Sequence, residues 1–321
     1  MTIAAPGAVP TARLSDAPLP PVDPGRPPWP GEVVRVRGAE LFVRHTPGPA
    51  DGGEPAVYVH GLGGSSTNWT DLAGLLSGRL SGDALDLPGF GRSGPAPGQD
   101  YTVTGHARTV IRYLEHRGGE PVHLLGNSLG GAVTVLVAAM RPDLVRTLTL
   151  VSPAMPSLRP RRGSDVTLPL LLLPGVGRLV QRRLDRLPPE RRARAVLELC
   201  FADPSVVPDN RFDEAVAEVV RRRGVPWAMD AFTESLRSVA RSYAVPGERS
   251  LWRQAALVRA PSLVIWGDRD RVVSAALAPR TAATLPDARL LMLPGIGHVA
   301  QMEVPDVVAR AVVALLEDAA G

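Results

Sequence analysis

Short apolar runs alternate with longer amphipathic stretches along most of the chain after residue 30. The short runs have the length and the turn-residue boundaries of strands, and the longer stretches have helical spacing. Strands that are apolar throughout and separated by helices indicate a parallel sheet covered on both faces. The pattern therefore predicts an α/β fold with a mostly parallel, doubly wound sheet. The predicted strands are 32–37, 41–45, 56–60, 84–87, 122–125, 148–151, 262–266 and 288–293, and the predicted helices are 68–76, 102–116, 129–140, 275–284 and 304–317.

This alternation stops between Ser152 and about Leu251. The stretch holds a leucine-rich segment bounded by prolines, residues 168–174, and a later run with apolar residues at helical spacing, namely Phe212, Val216, Val219 and Val220. We interpret it as a helical cap inserted after the sixth strand. The predicted divisions are a flexible, proline-rich leader at 1–30, the α/β core at 31–152 and 252–321, and the cap at 153–251.

Composition narrows the chemistry of the chain. Its 36 basic residues are all arginines, so Schiff-base or phosphate-loop chemistry that depends on lysine is excluded. The single cysteine, Cys200, excludes a disulfide within the chain and a thiolate metal cluster, and we interpret it as a small buried hydrophobe in a reducing compartment. We therefore predict a cytoplasmic protein that uses neither a metal nor a cofactor.

The formal net charge of +4 is unevenly distributed, because residues 155–200 hold ten arginines and four acidic residues. No aromatic residues interleave with these arginines as they do in nucleic-acid sites. No apolar run approaches the ~20 residues that span a bilayer. The sequence thus predicts a small-molecule substrate, no nucleic-acid partner and no stable membrane association, and it leaves the oligomeric state open. The arginines are expected to form a solvated face or, alternatively, a surface attracted to anionic lipid or acidic substrate.

Residues 126–130 read Gly-Asn-Ser-Leu-Gly between a predicted strand and a predicted helix. Glycines at both ends permit a turn sharp enough to lift the Ser128 hydroxyl clear of the sheet, so Ser128 is the predicted nucleophile. A serine needs a base to take its proton. Of the six histidines, His298 lies in a glycine-rich loop after the last predicted strand, where a parallel sheet places its ligand-contacting loops. It is the predicted general base.

The histidine in turn needs a carboxylate to hold its tautomer. Residues 267–270, after the preceding predicted strand, offer Asp268 and Asp270. Together with His60-Gly61, the segment 86–93 and the chain order Ser, acid, His, these motifs resemble the α/β-hydrolase family over nearly the whole chain. The resemblance implies that Asp270, the third residue after the strand-ending glycine, is the triad acid, and that Asp268 is a turn former.

The same resemblance implies an oxyanion hole built from backbone amides. One donor is the amide of Leu129, after the nucleophile, and the other is the amide of Leu62, in the loop after the third strand. Gly61, Asn127 and Val299 are predicted to contact the substrate.

The remaining histidines favour structural roles. His60 is expected to be buried and to brace the loop that follows it, as the segment 86–93 is expected to support the site without joining the chemistry. His123 falls within a strand, whereas His106 and His116 fall on a helix that we expect to be exposed.

A serine at position 128 separates the chain from relatives that attack with aspartate, the haloalkane dehalogenases and epoxide hydrolases. Esterases and lipases, C–C bond hydrolases of ring-fission products, haloperoxidase-like enzymes, aminopeptidases and thioesterases remain. The leading prediction is a carboxylic ester hydrolase for a small apolar ester, because the leucine-rich cap segment suggests a greasy substrate. The main alternative is a C–C hydrolase, which 126–131 and 201–205 resemble, although Val299 stands where those enzymes carry tryptophan. A non-catalytic ligand receptor of the same fold is the other alternative.

Overall fold

The structure, a computed structural model, describes residues 9–157, 183, 186–243 and 245–320. An eight-stranded sheet runs through the centre in the order β1-β2-β4-β3-β5-β6-β7-β8. The β1–β2 and β2–β4 pairs are antiparallel, and every other pair is parallel, which confirms the predicted mostly parallel sheet. The strands are β1 Gly31–Val36, β2 Ala39–Thr46, β3 Glu54–Val59, β4 Leu80–Leu85, β5 Val122–Asn127, β6 Val145–Val151, β7 Ser262–Gly267 and β8 Ala288–Leu293.

Helices cover both faces of this sheet, as a doubly wound fold requires. Those of the described ranges are α1 Thr70–Leu76, α2 Val103–His116, α3 Leu129–Met140, α4 Pro189–Cys200, α5 Asp209–Arg223, α6 Ala228–Ser242, α7 Leu251–Ala255, α8 Ala278–Thr284, α9 Ala300–Glu303 and α10 Pro305–Ala320. One apolar core lies between the sheet and α2, α3, α7 and α8, and a second lies between the sheet and α1, α9 and α10. None of these helices is both long and apolar enough to cross a membrane.

The central strands carry almost no exposed residue. Every residue of β5 and of β7 is buried, and α3 is buried from Leu129 to Ala138. Continuous apolar runs such as these suit strands that are covered on both faces. Because the strands from β3 to β8 run parallel, their carboxyl ends meet at one edge of the sheet, where ligand-binding loops are expected.

Among the described residues, α4, α5 and α6 lie within the stretch after β6 for which we predicted a helical insertion, and the short α7 follows them before β7. We refer to α4, α5 and α6 with their connecting loops as the cap helices. On α5, three of the four residues predicted as an apolar stripe are partly buried, but Val220 is 52% exposed. The leucine-rich segment 168–174 and most of the arginine-rich stretch lie outside the described residues.

The stretch expected to be a flexible leader differs from that expectation from residue 9 onward. Thr11 forms a parallel bridge with Leu290 of β8, and the Ser15 amide donates to the Arg310 carbonyl on α10. The Trp29 indole also donates to the Thr70 carbonyl. A proline-rich segment lacks the amide donors needed to form a regular strand, but its extended backbone can lie along an open sheet edge. Here it covers the exposed edge of β8.

Candidate active site

Ser128 occupies the turn between β5 and α3, with φ 54° and ψ −117°. This backbone geometry is unfavourable for any residue with a side chain and typically costs ~1–3 kcal/mol. No side chain would fit at the neighbouring glycines, because a Cβ atom on Gly130 would overlap the Val59 carbonyl oxygen. A Cβ atom on Gly126 would lie 2.5 Å from the Gly130 carbonyl oxygen. The strand and helix therefore approach closely and leave Ser128 at the sheet edge.

Asp270 and His298 come together from the loops that follow β7 and β8. The His298 Nδ1 atom lies 2.8 Å from Asp270 Oδ2, and Asp270 is fully buried. The other carboxylate oxygen, Oδ1, accepts the backbone amides of Val272 and Val273 at 2.8 and 2.9 Å. Burial alone would raise the pKa of the Asp270 carboxyl, but His298 and these two amides outweigh it and hold the pKa below its ordinary value.

An ionised Asp270 has consequences for the histidine ring. A carboxylate is an acceptor only, so the proton of a neutral His298 lies on Nδ1 and the Nε2 atom is left as an acceptor. Asp268, the other candidate acid, instead accepts the Gly295 amide at 2.7 Å and is exposed. That contact agrees with a turn-forming role.

The loop after β3 passes directly beside Ser128. A Cβ atom on Gly61 would lie 3.1 Å from Ser128 Cβ and 3.0 Å from Asn127 Oδ1. In the described part of the chain, the backbone bonds outside regular helices and strands include no acceptor for the amides of Leu62 or Leu129. These two N–H groups are therefore available to a bound oxygen atom.

His60 holds that loop in place. Its Nε2 atom accepts the Leu87 amide at 3.0 Å, so the proton lies on Nδ1, which donates to the Gly61 carbonyl at 2.7 Å. Burial lowers the pKa of His60, which keeps the ring neutral. Asp86 supports the same region, because its side chain accepts the amides of Ser66 and Arg92 at 2.6 and 2.7 Å. Both residues match the supporting roles expected from the sequence.

Asn127 was predicted to contact substrate, yet its side-chain nitrogen has protein partners. It donates to the Val151 carbonyl at 3.0 Å and to the His298 carbonyl at 3.1 Å, and the residue is buried. Asn127 therefore joins the end of the Ser128 strand to the histidine loop. Val299, also predicted as a substrate contact, packs in a small apolar cluster with Leu197 and Phe201 of the cap.

The expectation that His106 is exposed is wrong. The side chain is completely buried, because α6 of the cap covers this face of α2 and the Ser235 hydroxyl lies 3.0 Å from His106 Nε2. Ser235 donates its own proton to the Tyr101 carbonyl. Burial lowers the pKa of His106 to about 3. The sequence of α2 alone contains no signal for a covering helix more than a hundred residues away.

Two further contacts between cap and core were not predicted. Glu303 on α9 accepts the Gly297 amide at 2.8 Å and the Ala202 amide at 3.2 Å, so one carboxylate holds both the histidine loop and the end of α4. The His298 amide also donates to the Cys200 carbonyl at 2.7 Å. Burial raises the pKa of the Cys200 thiol to about 12, although the residue as a whole is partly exposed and not fully buried as the sequence predicted.

Comparison with known proteins identifies the family. A family model described as the alpha/beta hydrolase fold matches residues 55–305, so the chain belongs to the α/β-hydrolase family. Within the part of the chain that the structure describes, no group of three or more His, Cys, Asp or Glu side chains is arranged to hold a metal ion.

The proteins that this chain resembles differ in the activity that their names give. The dihydrolipoyllysine-residue acetyltransferase component of the acetoin cleaving system of Pseudomonas putida is 31% identical over 266 residues, 83% of this chain and 64% of that protein. This chain thus spans less than two thirds of that relative. A 2-hydroxy-6-oxononadienedioate/2-hydroxy-6-oxononatrienedioate hydrolase from Pseudomonas putida is 26% identical over 84% of this chain and 90% of its own length. Among solved structures, a bacterial membrane phospholipase A superposes with a TM-score of 0.70 at 26% identity, covering 91% of this chain and 87% of that chain.

Proposed function

We propose that the protein is a serine hydrolase of carboxylic esters in which Ser128 is the nucleophile, His298 the general base and Asp270 the acid of the triad. The observation that carries this proposal is the 2.8 Å contact between His298 Nδ1 and the fully buried Asp270, made by loops at the sheet edge where the strained Ser128 turn lies. That contact orients the ring so that Nε2 is the basic atom.

In the proposed reaction, Ser128 Oγ attacks the ester carbonyl carbon while His298 Nε2 takes the hydroxyl proton. The amides of Leu62 and Leu129 stabilise the negative charge that develops on the carbonyl oxygen. Both amides are without a backbone acceptor in the loops of the described residues. Collapse of the tetrahedral intermediate releases the alcohol, which takes the proton from His298, and leaves an acyl-enzyme on Ser128. Water, deprotonated by His298, then attacks the acyl-enzyme, and as the bond from the acyl carbon to Ser128 Oγ breaks, His298 returns the proton to Oγ and the carboxylic acid leaves.

A C–C bond hydrolase is the second candidate. It is favoured by the dienedioate hydrolase among the relatives and by the segment 201–205, which packs its Phe201 against Val299 beside His298. An ester hydrolase remains the preferred proposal because Val299 stands where C–C hydrolases carry tryptophan. The cytoplasmic location, the lack of a cofactor and the lack of a stable membrane partner stay predictions from the sequence.

The test combines covalent labelling with turnover of p-nitrophenyl esters of increasing acyl length and of a ring-fission dienone. We expect a fluorophosphonate to label the protein and the Ser128→Ala variant to lose both labelling and ester turnover, by roughly 10⁶ in kcat. Ser152→Ala is a matched control, because Ser152 also follows a parallel strand with positive φ, and its buried hydroxyl has no partner among the described residues.

Three outcomes would count against the proposal. Labelling that persists in Ser128→Ala would place the nucleophile elsewhere. Turnover of the dienone but of no ester would select the C–C hydrolase. A folded protein that is neither labelled nor active would favour the non-catalytic receptor.

A further inference from the structure

The guanidinium of Arg222, on α5 of the cap, lies against the loop that carries the proposed oxyanion donor. Its Nη1 atom donates to the Gly63 carbonyl at 3.0 Å. Two aromatic rings flank it, since the Arg222 Cζ atom lies 5.9 Å from the centre of the Phe90 ring and 5.8 Å from that of Phe232. Such rings attract a cation and shield it from water.

Arg222 differs from Arg211 and Arg221 of the same helix, each of which forms an ion pair with a carboxylate. Arg211 pairs with Asp71 and Glu214, and Arg221 pairs with Glu218. No carboxylate among the described residues lies within ion-pair distance of Arg222. Burial lowers the pKa of Arg222, and the opposing attraction of Glu218 and repulsion of Arg221 and Arg192 do not reverse that shift, so the site is unfavourable for a cation without a directly bonded anion. An anion bound there would remove this penalty.

The position of Arg222 fits a substrate group rather than a structural partner. Gly63 is two residues from Gly61, whose Cα faces Ser128, and two residues span at most ~7 Å. The guanidinium is thus on the order of 10 Å from the nucleophile, a separation that a short diacid chain can bridge once the contact to Ser128 at one end and the hydrogen bonds to Arg222 at the other are included. With Nη1 held by Gly63, the other edge of the guanidinium, formed by Nε and Nη2, carries the two parallel N–H donors that match a carboxylate.

We propose that Arg222 is a specificity-determining residue that binds a carboxylate carried by the substrate, several bonds from the carbonyl carbon that Ser128 attacks. The substrate class is therefore monoesters of short dicarboxylic acids rather than the purely apolar esters expected from the leucine-rich segment. This inference rests on the proposed hydrolase function.

The test compares two p-nitrophenyl esters of equal length, mono-p-nitrophenyl glutarate, which is anionic, and p-nitrophenyl valerate, which is neutral. We expect the parent protein to prefer the anionic ester. Arg222→Gln removes the charge and, because glutamine is shorter, also the bond to Gly63, so kcat/KM for the glutarate ester should fall about 10- to 100-fold, mainly through KM, and by much more than kcat/KM for the valerate ester. Arg223→Gln, the exposed neighbour, is the control and should change neither.

Equal loss for both esters in a folded Arg222→Gln protein, or no preference for the anionic ester in the parent, would overturn the proposal. A second measurement separates it from the proposed function. Binding of both esters to Ser128→Ala and to Ser128→Ala/Arg222→Gln is measured by calorimetry. Tight binding of the glutarate ester that depends on Arg222 would support the anion site even if the parent hydrolysed neither ester. Binding that does not depend on Arg222 would refute the site even if both esters were hydrolysed.

Discussion

The core and the cap meet the site through different kinds of contact. On the core side, buried side chains hold one another through specific polar bonds, such as Asp270 to His298 and Asn127 to the His298 carbonyl. On the cap side, side chains as well as backbone groups reach the core, as where the Arg222 guanidinium donates to the Gly63 carbonyl and the Cys200 carbonyl accepts the His298 amide. The core contacts hold the side chains of the proposed triad to one another, whereas the cap contacts hold the loops beside them. We therefore expect core substitutions to change the rate of the reaction and cap substitutions to change which substrates are turned over.

The largest effect is expected from breaking the core side. Asp270→Asn should lower kcat by roughly 10⁴, because an amide at this position favours the wrong tautomer of His298. Asp268→Asn is the matched control and should cost little, since Asp268 contacts only the neighbouring loop at Gly295 and Arg269. Steady-state kinetics with an ester substrate measure both. Equal and small losses would mean that the acid of the triad comes from another strand end.

A smaller effect is expected where cap and core share one carboxylate. Glu303→Gln removes the negative charge and leaves a single acceptor oxygen for the Gly297 and Ala202 amides, so both hydrogen bonds should weaken. We expect a drop of about 10-fold or more in kcat with little change in KM, because the histidine loop loses its support while the pocket remains. Glu120→Gln, on an exposed turn, controls for the loss of a charge. A rise in KM alone would assign Glu303 to the substrate pocket instead.

Acid should loosen the contact between α2 and the cap. Burial holds the pKa of His106 at about 3, while an unfolded histidine titrates near 6.5. Between these values the unfolded state binds a proton that the folded state does not, so the free energy of unfolding falls as the pH falls, by at most ~1.4 kcal/mol per pH unit. Urea unfolding at pH 7, 6 and 5 should show this dependence, and His106→Gln should weaken it.

His45 provides the opposite control for that series. Hydrogen bonding to Asp83 raises the pKa of His45, so this residue stabilises the fold at low pH and loses that contribution as the pH rises. His45→Gln should therefore steepen the loss of stability on acidification. An identical pH dependence in all three proteins would show that other groups control acid unfolding.

The smallest expected effect is a gain. Ser128→Gly should raise the free energy of unfolding by ~1 kcal/mol, because glycine adopts positive φ without the strain that serine bears there. Ser128→Ala keeps the strain and should not show the gain. Unfolding curves that are superimposable for the two variants would mean that the turn at Ser128 stores no energy.

The elements that depend on local sequence could be predicted. The apolar runs of β5 and β7 follow from burial on both faces of the sheet, and the glycines around Ser128 follow from steric rules within a few residues. His106, Glu303 and Arg222 could not be placed in this way. Each acquires its environment from a segment distant in the chain. The residue type alone does not reveal whether a histidine is buried or whether an arginine has an ion-pair partner. The roles of Ser128, Asp270 and His298 remain predictions until the variants are made.

The contacts of Arg13 and Ser15 with the last helix bear on the order in which parts of the molecule fold and unfold. Arg13 bonds to Asp318, and the Ser15 amide bonds to Arg310, so the two ends of the described chain meet at one corner. Bringing together residues about 300 positions apart costs more chain entropy than closing any shorter loop. The closure also gains few hydrogen bonds until the sheet has formed. These contacts should therefore form last during folding and separate first in the native state. In hydrogen exchange, the amides of Ala12 and Ser15 should exchange well before those of β5.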